Sequence, residues 1–323
     1  MEQASSADRI LGGLWGVVVG DALGVPVEFV DRERLRRAPV TGMRGYGTHG
    51  QPPGTWSDDT SLTLCTLEGL LSGFDLRAIA ENFLRWYQEG RWTPWGRVFD
   101  VGITTREAIA RLAAGVSPEE AGSDAESANG NGSLMRILPV ALYFAGAGTE
   151  ALLDAAHRVS RLTHRHPRSL MACGYYCVLA ASLLRGLDFS RACQEAVGQA
   201  LPYYRQPPYD NELPHFERVF SGRLAGLDEA EIFSDGYVIH TLETAVWCLY
   251  QSNSFAEAVL KAVNLGGDTD TTAAVAGGLA GLLYGFGAIP REWLAALARR
   301  EELEGLFQRF AARLEPATRP APQ

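Results

Sequence analysis

Periodicity constrains this chain more than any other feature. Almost every segment of the 323 residues repeats its apolar side chains at helical spacing, and the alternation of a half-buried strand is nearly absent. Ile10, Leu14, Val17 and Val18 repeat in this way after a cap at Asp8, and Gly24 followed by Pro26 ends the run. A second helix is expected from near Asp59 to Gly73. A third is expected from a cap at Asp75 to Gly90, with Leu76, Ile79, Phe83 and Trp86 on its apolar face. Further helices are expected around 104–114, 133–145, 149–162, 168–185, 189–201, 237–251, 254–264, 270–286, 291–298 and 301–313. Those at 133–145, 168–185 and 270–286 are apolar round much of their circumference, so they have to be central and wrapped by the others. The fold class that follows is all-α, a compact multi-helix bundle forming one domain over residues 8–315, with 202–215 as a Pro- and Tyr-rich connector. Residues 316–323 (PATRPAPQ) read as a disordered tail.

Composition narrows the function classes. With 46% hydrophobic and 21% charged residues the chain can bury a large core. A net charge of -9 repels phosphate backbones, and the densest basic run, Arg32 to Arg37, is interrupted by Glu33 and Leu35, so unmodified nucleic acid is not an expected partner. No membrane span is expected either: Asp21 interrupts the stretch from Leu11 to Val30, and the N-terminus lacks the pattern of a secretion signal. Five cysteines, an odd number inside apolar helical patterns, fit buried thiols in a cytoplasmic protein. Cys173 and Cys177 lie near His164 and His166, but their i, i+4 spacing more simply buries two small side chains on a core face, and no zinc site is expected.

Two loops carry polar residues that a helical core does not need. The irregular segment 38–57, with five glycines and three prolines, ends in Ser57-Asp58-Asp59-Thr60 at the start of an apolar helix. Far down the chain, Gly266-Gly267-Asp268-Thr269-Asp270-Thr271 opens another. Helix capping explains either cluster alone. It does not explain both, because a cap needs one oxygen, whereas crowded carboxylates are unfavourable unless a cation neutralises them. Hard oxygen ligands without His or Cys at metal spacing select Mg²⁺ or Mn²⁺ over Zn²⁺. If the two helix starts meet, four aspartates with Ser57 and Thr271 surround one cation, or a pair about 3.5–4 Å apart.

Taken in order, Gly20-Asp21-Ala22-Leu23-Gly24 with Glu28, Ser57-Asp58-Asp59-Thr60, Asn129-Gly130-Asn131-Gly132-Ser133-Leu134-Met135-Arg136, Thr163-His164 and Gly267-Asp268-Thr269-Asp270-Thr271 resemble the ADP-ribosylglycohydrolase family. The resemblance covers about residues 8–290. It implies an all-helical enzyme with two divalent cations, Mg²⁺ or Mn²⁺, that hydrolyses the glycosidic bond between ADP-ribose and a protein side chain. Carried over by position, it implies cation ligation by Ser57, Asp58, Asp59, Asp268, Asp270 and Thr271, with the cations gripping the vicinal diol of the distal ribose. It also implies that Glu28 approaches the anomeric region, that Asp100 transfers protons, and that His164 lies beside the ribose and the adenosine-side phosphate. Without the resemblance, Glu28 reads as an exposed loop carboxylate and Asp100 equally well as a cap for the helix near 104. One position departs from the pattern: Ile103 stands where the bacterial relatives usually carry Asn, and it cannot hydrogen-bond substrate or water.

The run Asn129, Gly130, Asn131, Gly132, Ser133 offers successive backbone N–H groups at an expected helix N-terminus, suited to a diphosphate, although turn chemistry accounts for Asn-Gly repeats as well. Arg136 reaches either a phosphate or, as its apolar neighbours favour, a buried structural partner. Tyr46, Trp92, Trp95 and Phe99 are expected in loops flanking the site, to stack on adenine or shield the ribose. The expected function is metal-dependent removal of ADP-ribose from a modified protein, an arginine-type N-linkage being favoured and a serine-type O-linkage the next choice. Two other readings stay open: a catalytically inactive ADP-ribose-binding or structural member of the same fold, and a two-metal nucleotide phosphohydrolase.

Overall fold

A computed structural model of the chain describes residues 4–314, so the expectation for 316–323 lies outside the described residues. Within them the architecture is all-α, with fifteen α-helices joined by short 3₁₀ turns, and two isolated β-bridges, Ser123 to His164 and Gly130 to Tyr237. The buried apolar side chains of these helices form one continuous cluster.

Its axis is an antiparallel pair, the helices Ser6–Gly24 and Thr269–Tyr284. Gly12, Gly16, Gly20 and Gly24 recur every fourth residue and make a flat ridge on the first helix, against which the backbone of the second lies directly. A Cβ at Gly16 would stand 2.1 Å from the Gly277 carbonyl oxygen, and one at Gly20 2.0 Å from that of Ala273. The pair is fastened at both ends. Arg9 donates to the carbonyls of Leu282 and Leu283, at 2.7 and 3.0 Å, where the second helix runs out of internal donors. At the other end the Thr269 hydroxyl donates to the Gly24 carbonyl at 2.9 Å. The opposite face of the first helix packs Trp15 edge-on against Phe307 of Arg300–Leu314.

Three expectations from sequence are corrected here. The segment Ser6–Val27 is long and apolar enough to cross a membrane, with a mean hydropathy of 1.7 despite Asp21, yet 94% of its 18-residue apolar stretch is buried inside the protein, where it is the core helix. The expected helix 133–145 is broken: Leu134–Arg136 is one 3₁₀ turn, and the helix Leu138–Phe144 begins after it, with Pro139 in its first turn where the missing N–H costs nothing. The first helix is capped by Ser5, which accepts from Asp8 N–H, rather than by Asp8. The third helix is as expected, Leu76–Glu89, capped by Asp75 and closed by a left-handed Gly90.

Gly16→Ala is expected to lower the unfolding free energy by about 1–3 kcal/mol, because neither backbone can retreat from the added methyl. Gly198→Ala, exposed on the helix Phe189–Tyr204 with open space around it, is expected to raise it by about 0.5–1 kcal/mol. Urea denaturation of the two variants checks the opposite signs.

Candidate active site

The antiparallel pair delivers the first helix's C-terminus to the second helix's N-terminus, and the acidic loops assemble there. Asp21, wholly buried near the end of the first helix, accepts the Ser57 N–H at 2.9 Å, the Thr60 N–H at 3.0 Å and the Thr60 hydroxyl at 2.6 Å. Burial pushes its carboxyl up to about 6, and the Thr60 and Ser57 donors hold the rise to that level. Asp21 thereby fixes the start of the helix Asp58–Leu70, which Ser57 caps through Asp59 N–H. On the other side, left-handed Gly266 and Gly267 let the chain pass against Val30 and Ser234: Gly267 N–H donates to Val30 and Asp268 N–H to Ser234, at 3.0 and 2.7 Å.

The two loops meet. The Thr271 hydroxyl donates to Asp59 Oδ2 at 3.3 Å across 212 residues of sequence, and the Ser57 hydroxyl to the same oxygen at 3.2 Å. Asp59 Oδ1 and Asp270 Oδ2 are buried without a hydrogen-bond partner. Burial first, and then repulsion from neighbouring carboxylates, pushes Asp58, Asp59 and Asp270 well above the usual carboxylate range. Burial raises Asp268 too, opposed by the Asn131 amide, which donates to its Oδ2 at 2.8 Å. Orphaned buried carboxylate oxygens in an all-oxygen set are the donors a hard divalent cation takes, so these residues fit Mg²⁺ or Mn²⁺.

A cleft of about 370 Å³ opens above the cluster, and Glu28, Asp58, Asp100, Asp268, Thr271 and His164 are among its lining. Glu28 is buried, not the exposed loop carboxylate its sequence context suggests. One of its oxygens lies within 4.8 Å of ligand atoms of Asp268 and Asp270. Burial raises its carboxyl to about 7, against the lowering effect of a hydrogen bond from His49. Asp100, with Glu28 and His49, makes a second such group. It does not cap the helix Ile103–Ala113, whose N-cap is Gly102. Ile103 lines the rim of the cleft at 68% exposure.

His164 is buried and Thr163 orients it. Arg136 donates to Thr163 Oγ1 at 2.9 Å, and that hydroxyl is hydrogen-bonded to His164 Nδ1 at 2.7 Å, which holds the ring with Nε2 toward Gly130 and Gly132. Burial, then the Arg136 charge, lowers its pKa to about 3, which keeps the ring neutral. Arg136 therefore serves structure: it also bonds the carbonyls of Gly132 and Val159 and does not line the cleft.

The run at 129–133 divides. Gly130, Asn131 and Gly132 line the cleft. Asn129 turns away, accepting from Ser169 at 3.0 Å, and Ser133 points into the core toward Ser160 and Cys173, at 2.8 and 3.4 Å. Nor is the run the start of a long helix. It pairs with 236–238, Asn131 N–H donating to Gly236 and Val238 N–H to Asn129, both at 3.0 Å. Of the flanking aromatics, Trp92 is a core plug bonded to Glu68, Tyr46 and Trp95 are exposed beyond the lining, and Phe99 packs on His49. The cysteines are buried and free, and Cys173 faces Ser133 rather than a histidine. Sequence reasoning missed His49 because a lone histidine among glycines and prolines carries no spacing signal. It also missed the positioning role of Asp21, which its place on an apolar helix face does signal.

A sequence model of the family described as ADP-ribosylglycohydrolase matches residues 2–320. The ADP-ribosylarginine hydrolase Tri1 of Serratia proteamaculans is 32% identical over 311 residues, 95% of this chain and 80% of that protein. The ADP-ribosyl-[dinitrogen reductase] glycohydrolase of Rhodospirillum rubrum is 32% identical over 310 residues, 94% of this chain and 95% of that one. A solved structure titled ADP-ribosylglycohydrolase-related protein complex superposes with a TM-score of 0.81 at 37% identity, covering 96% of this chain and 99% of the other.

Asp270→Asn is expected to raise the melting temperature of the metal-free protein by a few degrees, since it removes a buried charge that its neighbours oppose. Mn²⁺ at about 100 times its Kd is expected to stabilise the wild type by about 2.7 kcal/mol and Asp270→Asn far less. Thermal unfolding of both proteins in EDTA and in Mn²⁺ checks both signs.

Proposed function

Because the chain belongs to the ADP-ribosylglycohydrolase family, we propose that it is a metal-dependent hydrolase that releases ADP-ribose from a modified protein side chain, an arginine N-glycoside in the first instance. The observation that carries this reading is the pair of orphaned buried oxygens, Asp59 Oδ1 and Asp270 Oδ2, which lie behind Asp58, Asp268 and Thr271 of a cleft whose wall holds two further carboxylates, Glu28 and Asp100. The arginine linkage is supported by the activity for which the Serratia relative is named.

Ser57, Asp58, Asp59, Asp268, Asp270 and Thr271 would hold the cations. When bound, they supply Lewis-acid sites that bind the vicinal diol of the distal ribose and stabilise charge developing toward an oxocarbenium-like state. The protein's own groups do the rest. Asp21 and Asn131 hold the acidic loops in place through the Ser57, Thr60 and Asp268 contacts. The neutral His164 turns its Nε2 edge toward Gly130 and Gly132, where it would meet ribose or phosphate oxygens. A water attacks the anomeric carbon, forming the new C–O bond as the C–N bond to the guanidine breaks. One carboxylate takes the water's proton, and a proton passes to the departing nitrogen, so the products are ADP-ribose and unmodified arginine. Asp100, half-buried at the cleft mouth, is the residue assigned this transfer, and Glu28 acts from the deeper side of the cleft.

The test is release of free ADP-ribose from ADP-ribosylated arginine, serine and nucleic-acid substrates, with and without EDTA. Release from the arginine substrate, abolished by EDTA, is the expected result. Asp268→Ala with Asp270→Ala is expected to cost at least about 100-fold in kcat/KM. Undiminished release from that double variant overturns the cation assignment, and inorganic phosphate as the product overturns the reaction.

A further inference from the structure

Glu28 and Asp100 come from different loops, and a third loop joins them. His49 Nε2 is hydrogen-bonded to Glu28 Oε2. Ligand atoms of Glu28, His49 and Asp100 all lie within 4.8 Å of one another. The imidazole is near two phenyl rings, with centroids 6.3 Å from Phe29 and 5.4 Å from Phe99, and each phenylalanine is the sequence neighbour of one of the two carboxylates. The backbone there is strained: Phe29 and Asp100 are non-glycine residues at φ of 62° and 50°. Such conformations persist only where the surroundings over-determine them. Phe29 N–H donates to the Gly267 carbonyl at 2.7 Å, and beside both residues stands His49, held in turn by its own loop. Thr48 N–H donates to the Pro26 carbonyl at 3.0 Å, its hydroxyl donates to the Glu28 carbonyl at 2.6 Å, and a Cβ at Gly47 would stand 1.6 Å from the Pro26 oxygen.

We propose that His49 is a positioning residue of the active site: its imidazole, beside Phe29 and Phe99, holds the Glu28 carboxylate toward Asp268 and Asp270 and couples it to Asp100, so that both carboxylates address one reacting centre. This rests on the hydrolase reading above for its kinetic consequence, but not for its structural one. His49 acts through Glu28 and touches no substrate. A Gln at 49 carries an amide N–H at about the reach of the imidazole Nε2, whereas an Ala carries none.

The test compares wild type, His49→Ala and His49→Gln in the Mn²⁺-loaded protein. His49→Ala is expected to lower kcat on the ADP-ribosylarginine substrate about 10–100-fold, with KM and calorimetric Mn²⁺ affinity unchanged, and His49→Gln to recover most of the loss. Amide exchange over residues 28–30 is expected to speed up in His49→Ala and to return toward wild type in His49→Gln. Wild-type kcat and exchange in His49→Ala would overturn the proposal. So would a Gln variant no better than Ala, or a loss of Mn²⁺ affinity matching the loss of kcat. If the wild type releases no ADP-ribose, the hydrolase reading fails, while amide exchange in the two variants still decides whether His49 positions Glu28.

Discussion

The contact between two backbones, Ser6–Gly24 against Thr269–Tyr284, is what the rest of the molecule depends on. Helices packed through ordinary side chains stand 8–10 Å apart, and at that spacing their ends diverge with any change of side chain between them. Here the glycine ridge leaves nothing between them to vary. The antiparallel sense then converts a packing contact into a functional one, because the last turn of the first helix, with Asp21, and the first turn of the second, with Asp270, are brought together by the same surface. Residues from the two ends of the chain share a site because the helices that carry them share an axis.

The cost of that arrangement is electrostatic. Asp58, Asp59, Asp268 and Asp270 are placed by backbone contacts that are insensitive to their charge: the Asp21 bonds to Ser57 and Thr60, the Ser234 bond to Asp268, and the Thr269 bond to Gly24. The scaffold therefore holds the carboxylates together against their repulsion instead of letting them relax apart. This is preorganisation in a concrete form, since oxygens that cannot satisfy one another remain available to a cation.

The fold class was legible because helix formation is a local property: periodicity and capping residues report it directly, as Asp75 and Gly90 do for Leu76–Glu89. The break before Leu138 was less legible. The apolar pattern continues through it, and only Pro139, tolerated in a first turn, marks the restart. The acidic clusters were legible from composition at helix starts, but their meeting was a tertiary fact that no window of sequence contains. Asn129 and Ser133 show the limit most plainly. Their neighbours Gly130 and Gly132 line the cleft, yet the bridge to 236–238 and the Ser160 hydroxyl turn these two side chains away, and both partners lie far off in the sequence. The glycine ridge was visible as a spacing of four, and its meaning depended on knowing which helix lay against it.

The cleft has a floor and a rim of different mechanical character, and this bears on Ile103. The floor consists of helix ends pinned by buried hydrogen bonds, whereas the rim consists of Phe29, residues 100–105 and Gly236. Under the proposed reaction the floor meets the ribose, which every ADP-ribosylated substrate presents, and the rim meets the acceptor, which differs among them. Ile103 lies on the rim, exposed, in the first turn of the helix Ile103–Ala113 and outside the hydrogen bonds that hold the acidic loops. Replacing a polar residue by isoleucine there removes a donor and an acceptor from the side where the acceptor departs and leaves the cation ligands where they are. Under that reaction the departure from the family pattern falls on the acceptor side of the cleft, while the Asp100 carboxylate three residues earlier keeps an oxygen within 4.8 Å of ligand atoms of Glu28 and His49.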